Sequence, residues 1–235
     1  MKSQLQRDIP GTQYIDCAEL MKTAAIARPK KILAHVRVPA RWRGEVERVL
    51  IPQEQIARRV RGLARAIERD YQGRDLVIVP LLTGTVMFMA DLLRHLTLPL
   101  RIDFMGVSSY GAGTQSGKLV FTKELRMELR GRDVLLVDDI LDTGRTLKRV
   151  SEKLAGLKPR SLKTCVLLDK QARRVEKIEA DYVGFPIPDF FVVGYGLDFA
   201  ERYRNLPFVG VLKPAIYATQ GDGPGTKSMT GADAE

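Results

Sequence analysis

The chain reads as an α/β protein: a mostly parallel, twisted sheet with helices on both faces. Three observations predict this. Apolar runs too short for a membrane and continuous rather than alternating, "DLVIVPLL" and "VLLVDDI", have the character of strands buried on both faces. Amphipathic stretches of helical period lie between them. The two kinds of segment alternate along the chain, as crossover-connected parallel strands require.

Taken in order, residues 1–45 are mixed, with scattered Lys and Arg ("RPKKILAHVRVPARWRG"), and are expected to form an N-terminal extension. "IPQEQIARRVRGLARAIERDY" places Ile56, Val60, Leu63, Ala64 and Ile67 near helical spacing. "DLVIVPLL" is a buried strand, "TGTVMFMADLLRHL" a helix, and "LRIDFMGVSS" a strand alternating through Leu100, Ile102 and Phe104. "VLLVDDI" is a further buried strand and "TLKRVSEKLAGL" an amphipathic helix. "SLKTCVLLDK" and "DYVGF" add strands, and "FVVGYG" and "FVGVLK" are short ones. The main domain spans 46–218. Residues 219–235, "TQGDGPGTKSMTGADAE", have the small, polar, glycine-rich composition of a disordered tail. No internal repeat is visible.

Composition narrows the chemistry. The 235 residues are 45% hydrophobic and 28% charged, an ordinary globular balance. Cys17 and Cys165 fit neither a disulfide framework nor a zinc spacing, which points to a reducing compartment. There is no stretch of the roughly 20 apolar residues that a membrane helix needs, nor a signal-peptide core, so a cytoplasmic location is expected. His35 and His95 sit in unrelated contexts, which disfavours histidine acid/base or metal chemistry. The formal net charge of +10 suits a polyanionic partner, nucleic acid or a phosphorylated small molecule.

Two apparent phosphate motifs fail. In "YGAGTQSGKLV" the Walker positions hold Ala112 and Leu119. The glycine spacing is also wrong for a dinucleotide fingerprint. The stretch reads as a glycine-rich loop opened by Ser108, Ser109 and Tyr110, either a lid or a plain hairpin connection.

The densest segment is "VLLVDDILDTGRT". A buried strand ends on Asp138 and Asp139, and ligands in such sheets bind beyond the carboxyl ends of the strands. Thr143 and Thr146 offer hydroxyls, Gly144 allows close backbone approach, and the amides of the following helix favour an anion. Together they make a monophosphate cradle without a Walker lysine. The paired carboxylates can accept from sugar hydroxyls or hold Mg2+ through water. Asp142 is placed for proton transfer. The plainer alternative makes Asp142 or Thr143 an N-cap and leaves the aspartates as solvated charges.

This segment resembles the phosphoribosyl-pyrophosphate (PRPP) motif of type I phosphoribosyltransferases. "LLDK" at 167–170, "ADYVGFPIPDFFVVGYGLDFAERYRNLPFVGVLKP" at 180–214 and "IDFMGVSSYGAGT" at 102–114 are similar to the bacterial branch of the hypoxanthine-guanine phosphoribosyltransferases. The resemblance covers roughly residues 48–218 and implies the type I phosphoribosyltransferase fold, with a small hood that binds the base. It also implies an enzyme of purine salvage that makes IMP or GMP. Residues 142–146 (Asp142, Thr143, Gly144, Arg145, Thr146) would hold the 5′-phosphate. Asp138 and Asp139 would bind the ribose hydroxyls beside a Mg2+, and Asp198 would help to hold a second. Asp142 would be the general acid/base at purine N7. Lys170 would bond the 6-oxo group, Phe191 would stack on the base, and the Val192 backbone would read its edge. Arg204 and the turn at Leu82, Thr83 and Gly84, whose leading peptide is often cis in the family, would take pyrophosphate. Ser109 and Tyr110 would belong to the lid. A homo-oligomer, dimer or tetramer, is implied.

Read without the resemblance, several of these residues have plain alternatives. Lys170 would be a solvated lysine, Phe191 a core aromatic, Asp198 a turn aspartate and Arg204 a surface charge. Two positions depart from the family: Thr83 stands where many relatives carry Lys, and Asp138 where the subfamily usually has Glu. Two rival functions exist, a nucleic-acid-binding regulator that senses PRPP and a xanthine-preferring relative. Retention of Asp142, Lys170, Phe191 and Asp198 disfavours nucleic acid as the main partner. Adenine is disfavoured because its amino group would face the Lys170 ammonium.

Overall fold

The computed structural model describes residues 37–110 and 118–218. A sheet in the order β5-β4-β2-β6-β7-β8, with β3 also paired to β2, forms the body. It comprises β2 (Leu76–Leu82), β3 (Leu100–Ile102), β4 (Met105–Tyr110), β5 (Lys118–Lys123), β6 (Asp133–Leu141), β7 (Ser161–Asp169) and β8 (Tyr182–Pro186). All pairings are parallel except the β4–β5 hairpin. Helices α1 (Gln53–Tyr71) and α2 (Val86–Leu93) cover one face, and α3 (Arg145–Gly156) covers the other. The continuous apolar runs alternate between the two cores. Leu76 and Ile78 of β2, with Leu135 and Val137 of β6, face α1 and α2. Val77 and Val79, with Val134 and Leu136, face α3. Both faces are covered, so no polar position is needed along the run.

A second, antiparallel sheet in the order β1-β10-β9 makes a small hood, from β1 (Val46–Ile51), β9 (Val192–Val193) and β10 (Val209–Leu212). A short helix, α4 (Pro214–Ala218), follows β10. The expected extension and tail lie outside the described residues, apart from 37–45. There a 3-10 turn, Ala40–Trp42, packs Trp42 against Tyr203 with ring centroids 5.5 Å apart.

All five apolar positions expected on α1 are buried. The strand expected across "LRIDFMGVSS" is instead two, broken at Asp103 and Phe104. The register with β2 is the same on both sides of the break, with Ile78 opposite Ile102 and Leu81 opposite Met105, and Pro80 of β2, which faces it, has no N–H to donate to the ladder. The buried Asp103 carboxylate there accepts from the backbone N–H groups of Arg126 and Met127 (2.5 and 2.9 Å) and from Lys123 Nζ (3.1 Å). "FVVGYG" forms only the two-residue β9, because Gly194 and Gly196 (φ +97° and +102°) turn the chain away. His95 is an exposed residue just beyond α2. Cys165 is wholly buried in β7, and burial pushes its thiol up to about 12.

The amino end of β6 carries the first prediction. The Asp133 carboxylate is fully buried and accepts from Arg160 Nε (3.1 Å) and Ser161 Oγ (2.6 Å). The Arg160 hydrogen bond holds its pKa below the ordinary 3.8. A folded pKa lowered in this way stabilises the native state above the unfolded value, and the benefit is lost as pH falls through the folded one. Asp133→Asn is therefore expected to lower stability at pH 7 by about 1–2 kcal/mol. Urea unfolding should show the gap to the wild type closing below pH 3.8. A gap that stayed constant at acid pH would mean the effect is one of packing.

Candidate active site

The carboxyl ends of β2 and β6 open beneath the hood, and the turns that follow them, with Val107 of β4, line a cavity of about 320 Å3; Lys170, after β7, is not among its lining residues. It is lined by Thr83 and Gly84 after β2, by Asp138 to Gly144 and Thr146 on β6 and its exit, and by Asp198 and Arg204 from the hood. The Leu82–Thr83 peptide is cis, as expected for this turn.

Asp138 and Asp139 are the most strained electrostatically. The Asp139 N–H donates to Asp138 Oδ1 (2.9 Å), and the two carboxyls are close enough for each to act on the other's charge. Burial, and then the like charge of Asp139, hold Asp138 well above the ordinary carboxylate range. Burial also raises Asp139, a rise opposed first by its hydrogen bond with Asp138 and the Ile140 N–H, and least by the Arg204 guanidinium. A carboxylate pair in this position gains most from a cation or from donors such as sugar hydroxyls. Gly84 lies directly under it: a Cβ there would overlap Asp139 Oδ2 and come within 2.7 Å of Asp139 Cγ.

The exit of β6 makes the anion cradle. Gly144, in the left-handed conformation (φ +84°), is the N-cap of α3, and no side chain caps the helix. Neither Asp142 nor Thr143 plays that part, although Thr143 Oγ1 accepts weakly from the Arg145 N–H (3.5 Å). The first-turn amides of α3 are thus left facing the cavity end of the helix. Asp142 Oδ2 stands 3.5 Å from Arg173 Nη1 and 4.0 Å from Lys170 Nζ, whereas its Oδ1 is buried with no hydrogen-bond partner among the described residues. A buried carboxylate oxygen left in this way is an acceptor waiting for a donor.

Lys170 is 5% exposed, which removes the reading as a solvated lysine. Its ammonium is shared by Asp142 and Asp189 (3.3 Å). Arg204 is tied down as well: Nη1 donates to the Gly196 carbonyl (2.9 Å), and Nη2 pairs with Asp198 (2.9 Å) and Glu201 (3.1 Å). Asp198 is both a turn aspartate, accepting from the Glu201 N–H (3.0 Å), and a cavity residue.

Not every expected residue joins the cavity. The Phe191 ring stacks on Tyr217 (centroids 4.7 Å apart, planes 15°) and meets Phe199 edge-on, within the hood core. Val192 pairs with Val211 in the hood sheet. Arg145 begins α3 and is exposed. Ser109 and Tyr110 end β4, their backbones paired with Leu119 and Lys118, so the loop between them does join a hairpin. Its residues 111–117 lie outside the described ones. Among the described residues no three His, Cys, Asp or Glu side chains converge on a metal position. The paired carboxylates Asp138 and Asp139 line the cavity, and one or two carboxylates, with water and substrate phosphate, are what Mg2+ takes.

Sequence reasoning missed three contributors. Ile140 lines the cavity between the paired carboxylates and Asp142. Gly196 packs its Cα against the Gly84 carbonyl so closely that any side chain would overlap it. Arg174 braces the β6 exit from behind. Ile140 could have been found from its place inside the motif; the other two act across long sequence separations and leave no local pattern.

Comparisons with known proteins agree with this geometry. The family model described as a phosphoribosyl transferase domain matches residues 50–200. The chain is 47% identical over 174 residues to the hypoxanthine-guanine phosphoribosyltransferase of Bacillus subtilis, covering 74% of this chain and 97% of that enzyme. It is 48% identical over 175 residues to the bifunctional protein TilS/HprT of Listeria monocytogenes, but spans only 27% of that protein's length. The crystal structure of a hypoxanthine phosphoribosyltransferase from Staphylococcus aureus superposes with a TM-score of 0.73 at 46% identity, covering 77% of this chain and 99% of that one. Fold, sheet-end cavity and sequence identity thus converge, and the chain belongs to the phosphoribosyl transferase family, among its hypoxanthine-guanine phosphoribosyltransferases.

Proposed function

We propose that the chain transfers the 5-phosphoribosyl group of PRPP to hypoxanthine or guanine, releasing pyrophosphate and the nucleoside 5′-monophosphate. The observation that carries this reading is Asp142 at the mouth of an anion cradle, its Oδ1 buried without a partner among the described residues and its Oδ2 facing the buried Lys170.

In this reading the amides after Gly144, with the Thr143 and Thr146 hydroxyls and Arg145, take the 5′-phosphate. Asp138 and Asp139 accept from the ribose hydroxyls, and Thr83, Gly84 and Arg204 receive pyrophosphate. Asp138, Asp139 and Asp198 would hold Mg2+, which would neutralise charge on the leaving group. Purine N9 bonds to C1′ as the bond from C1′ to the pyrophosphate oxygen breaks. Asp142 accepts the proton that leaves N7 as the C1′–N9 bond forms and, with the aspartate pair, stabilises the positive charge that grows on the ribose. Phe191 and the Val192 backbone bound the base. Ser109 and Tyr110 belong to the hairpin that excludes water, and the protein works as a homo-oligomer in the cytoplasm. Among the described residues, no helix is long and apolar enough to cross a membrane.

The experiment is pyrophosphate release from PRPP and Mg2+ with hypoxanthine, guanine, xanthine and adenine in parallel. Turnover with the first two and little with adenine is expected; none with either would refute the reading. Lys170 sets the discrimination, since a buried ammonium offers donors only. In Lys170→Gln the amide can also accept a hydrogen bond. The preference for hypoxanthine over adenine is then expected to fall about 100-fold in kcat/KM. An unchanged ratio would place the choice of base elsewhere.

A further inference from the structure

The loop leaving β6 has its carbonyl groups captured from one side by a single short segment. Arg174 Nε donates to the Asp142 carbonyl (3.0 Å), and Nη2 donates to the Leu141 carbonyl (3.3 Å) while pairing with the Asp169 carboxylate. Nη1 donates to the Ile178 carbonyl, which anchors the guanidinium to its own segment. The next two residues continue the pattern. The Val175 and Glu176 N–H groups both donate to the Thr143 carbonyl (2.9 and 3.1 Å). Lys148 in α3 pairs with Glu176 (2.7 Å), fixing the start of the helix to the same segment. Gly144 rests on it as well: a Cβ there would meet Ile178 Cγ2 at 2.8 Å and Arg174 Cδ at 3.1 Å.

The consequence follows from the planar trans peptide, in which the C=O and the next N–H point in opposite directions. With the carbonyls of 141, 142 and 143 turned to Arg174 and its neighbours, the N–H groups of 142, 143 and 144 turn the other way, toward the cavity those residues line. No hydrogen bond among the described residues engages the Thr143 or Gly144 N–H. Successive N–H groups facing one side form an anion-binding concavity.

We propose that Arg174 is a positioning residue for this concavity: it holds the loop carbonyls so that the amides meet the substrate's phosphate. The proposal rests on the reading that 142–146 takes the 5′-phosphate. Only arginine suits the task. Its planar fork serves three carbonyls and a carboxylate in different directions, whereas a lysine ammonium is one compact donor at the end of a flexible stem.

The test uses the full chain and two variants, Arg174→Lys, which keeps the charge beside Asp169, and Arg174→Met, which keeps the bulk. Binding of GMP and of guanosine is measured by calorimetry, with the melting temperature recorded for each protein. The wild type is expected to bind GMP more tightly than guanosine. In both variants guanosine affinity should hold within about twofold, while the advantage of GMP falls roughly ten- to hundredfold. Variants that melt earlier yet keep the full GMP advantage would make Arg174 a stability residue only and overturn the proposal. A wild type that binds GMP and guanosine equally would refute the phosphate reading itself, and the proposal with it.

Discussion

Asp142→Asn is expected to lower kcat about 10²–10⁴-fold, the range that a positioned acid/base supplies, with little change in the KM for PRPP. The substitution is nearly isosteric. The Asp142 backbone carbonyl keeps its bond from Arg174 Nε (3.0 Å), and the loop keeps its shape. What changes is Oδ1, the buried acceptor with no hydrogen-bond partner among the described residues. An amide in its place either presents N–H groups toward the base or leaves a neutral oxygen that cannot hold the N7 proton. The charge lost also faced Lys170 and Arg173, so two cations remain where positive charge must grow in the transition state. Steady-state kinetics with saturating hypoxanthine separates the outcomes. A fall in kcat alone places Asp142 on the reacting base. A rise in the KM for PRPP with kcat unchanged would make it a binding residue of the phosphate loop and sink the acid/base assignment.

The body of the fold was legible because its signals are local. On α1 the buried residues recur at helical spacing, and β2 and residues 134–137 of β6 are unbroken apolar runs between two covering layers. The hood was less legible for equally physical reasons. In β1, "VERVLI", two register shifts against β10 break the period-two pattern that marks a half-buried strand, so its burial does not alternate. The break between β3 and β4 holds a buried carboxylate bonded to amides more than twenty residues away, which periodicity cannot report. At the site, the carboxylate pair and the cradle could be read from one continuous motif. The burial of Lys170 could not, since "DKQARR" has the composition of a solvated loop. Arg174 in the same stretch looks like surface charge, and its work consists of contacts to carbonyls some thirty residues earlier.

Gly84→Ala tests how tightly the pyrophosphate end of the site is built, and it is expected to remove at least two orders of magnitude from kcat/KM for PRPP. One methyl group has nowhere to go. On one side it overlaps the Asp139 carboxylate. On the other, the Gly84 carbonyl already lies against Gly196, itself without room for a Cβ. Relief must therefore come from moving Asp139, which displaces a ribose-binding carboxylate, or from moving the turn, which displaces the Thr83–Gly84 backbone and pulls on Gly196 and on the Arg204 bonded to its carbonyl (2.9 Å). A shift of about 1 Å in such a group is enough for a 100-fold loss. Stability should fall too, by about 1–3 kcal/mol, as for other overpacked sites. A double-mutant cycle with Asp139→Ala separates the two causes. If the clash with Asp139 dominates, the double variant regains most of the lost melting temperature while remaining inactive, since the carboxylate is gone. If the double variant is as unstable as the sum of the singles, the methyl is accommodated against the Gly196 side. The coupling between the turn and the hood, rather than the carboxylate, would then be the feature that keeps position 84 a glycine.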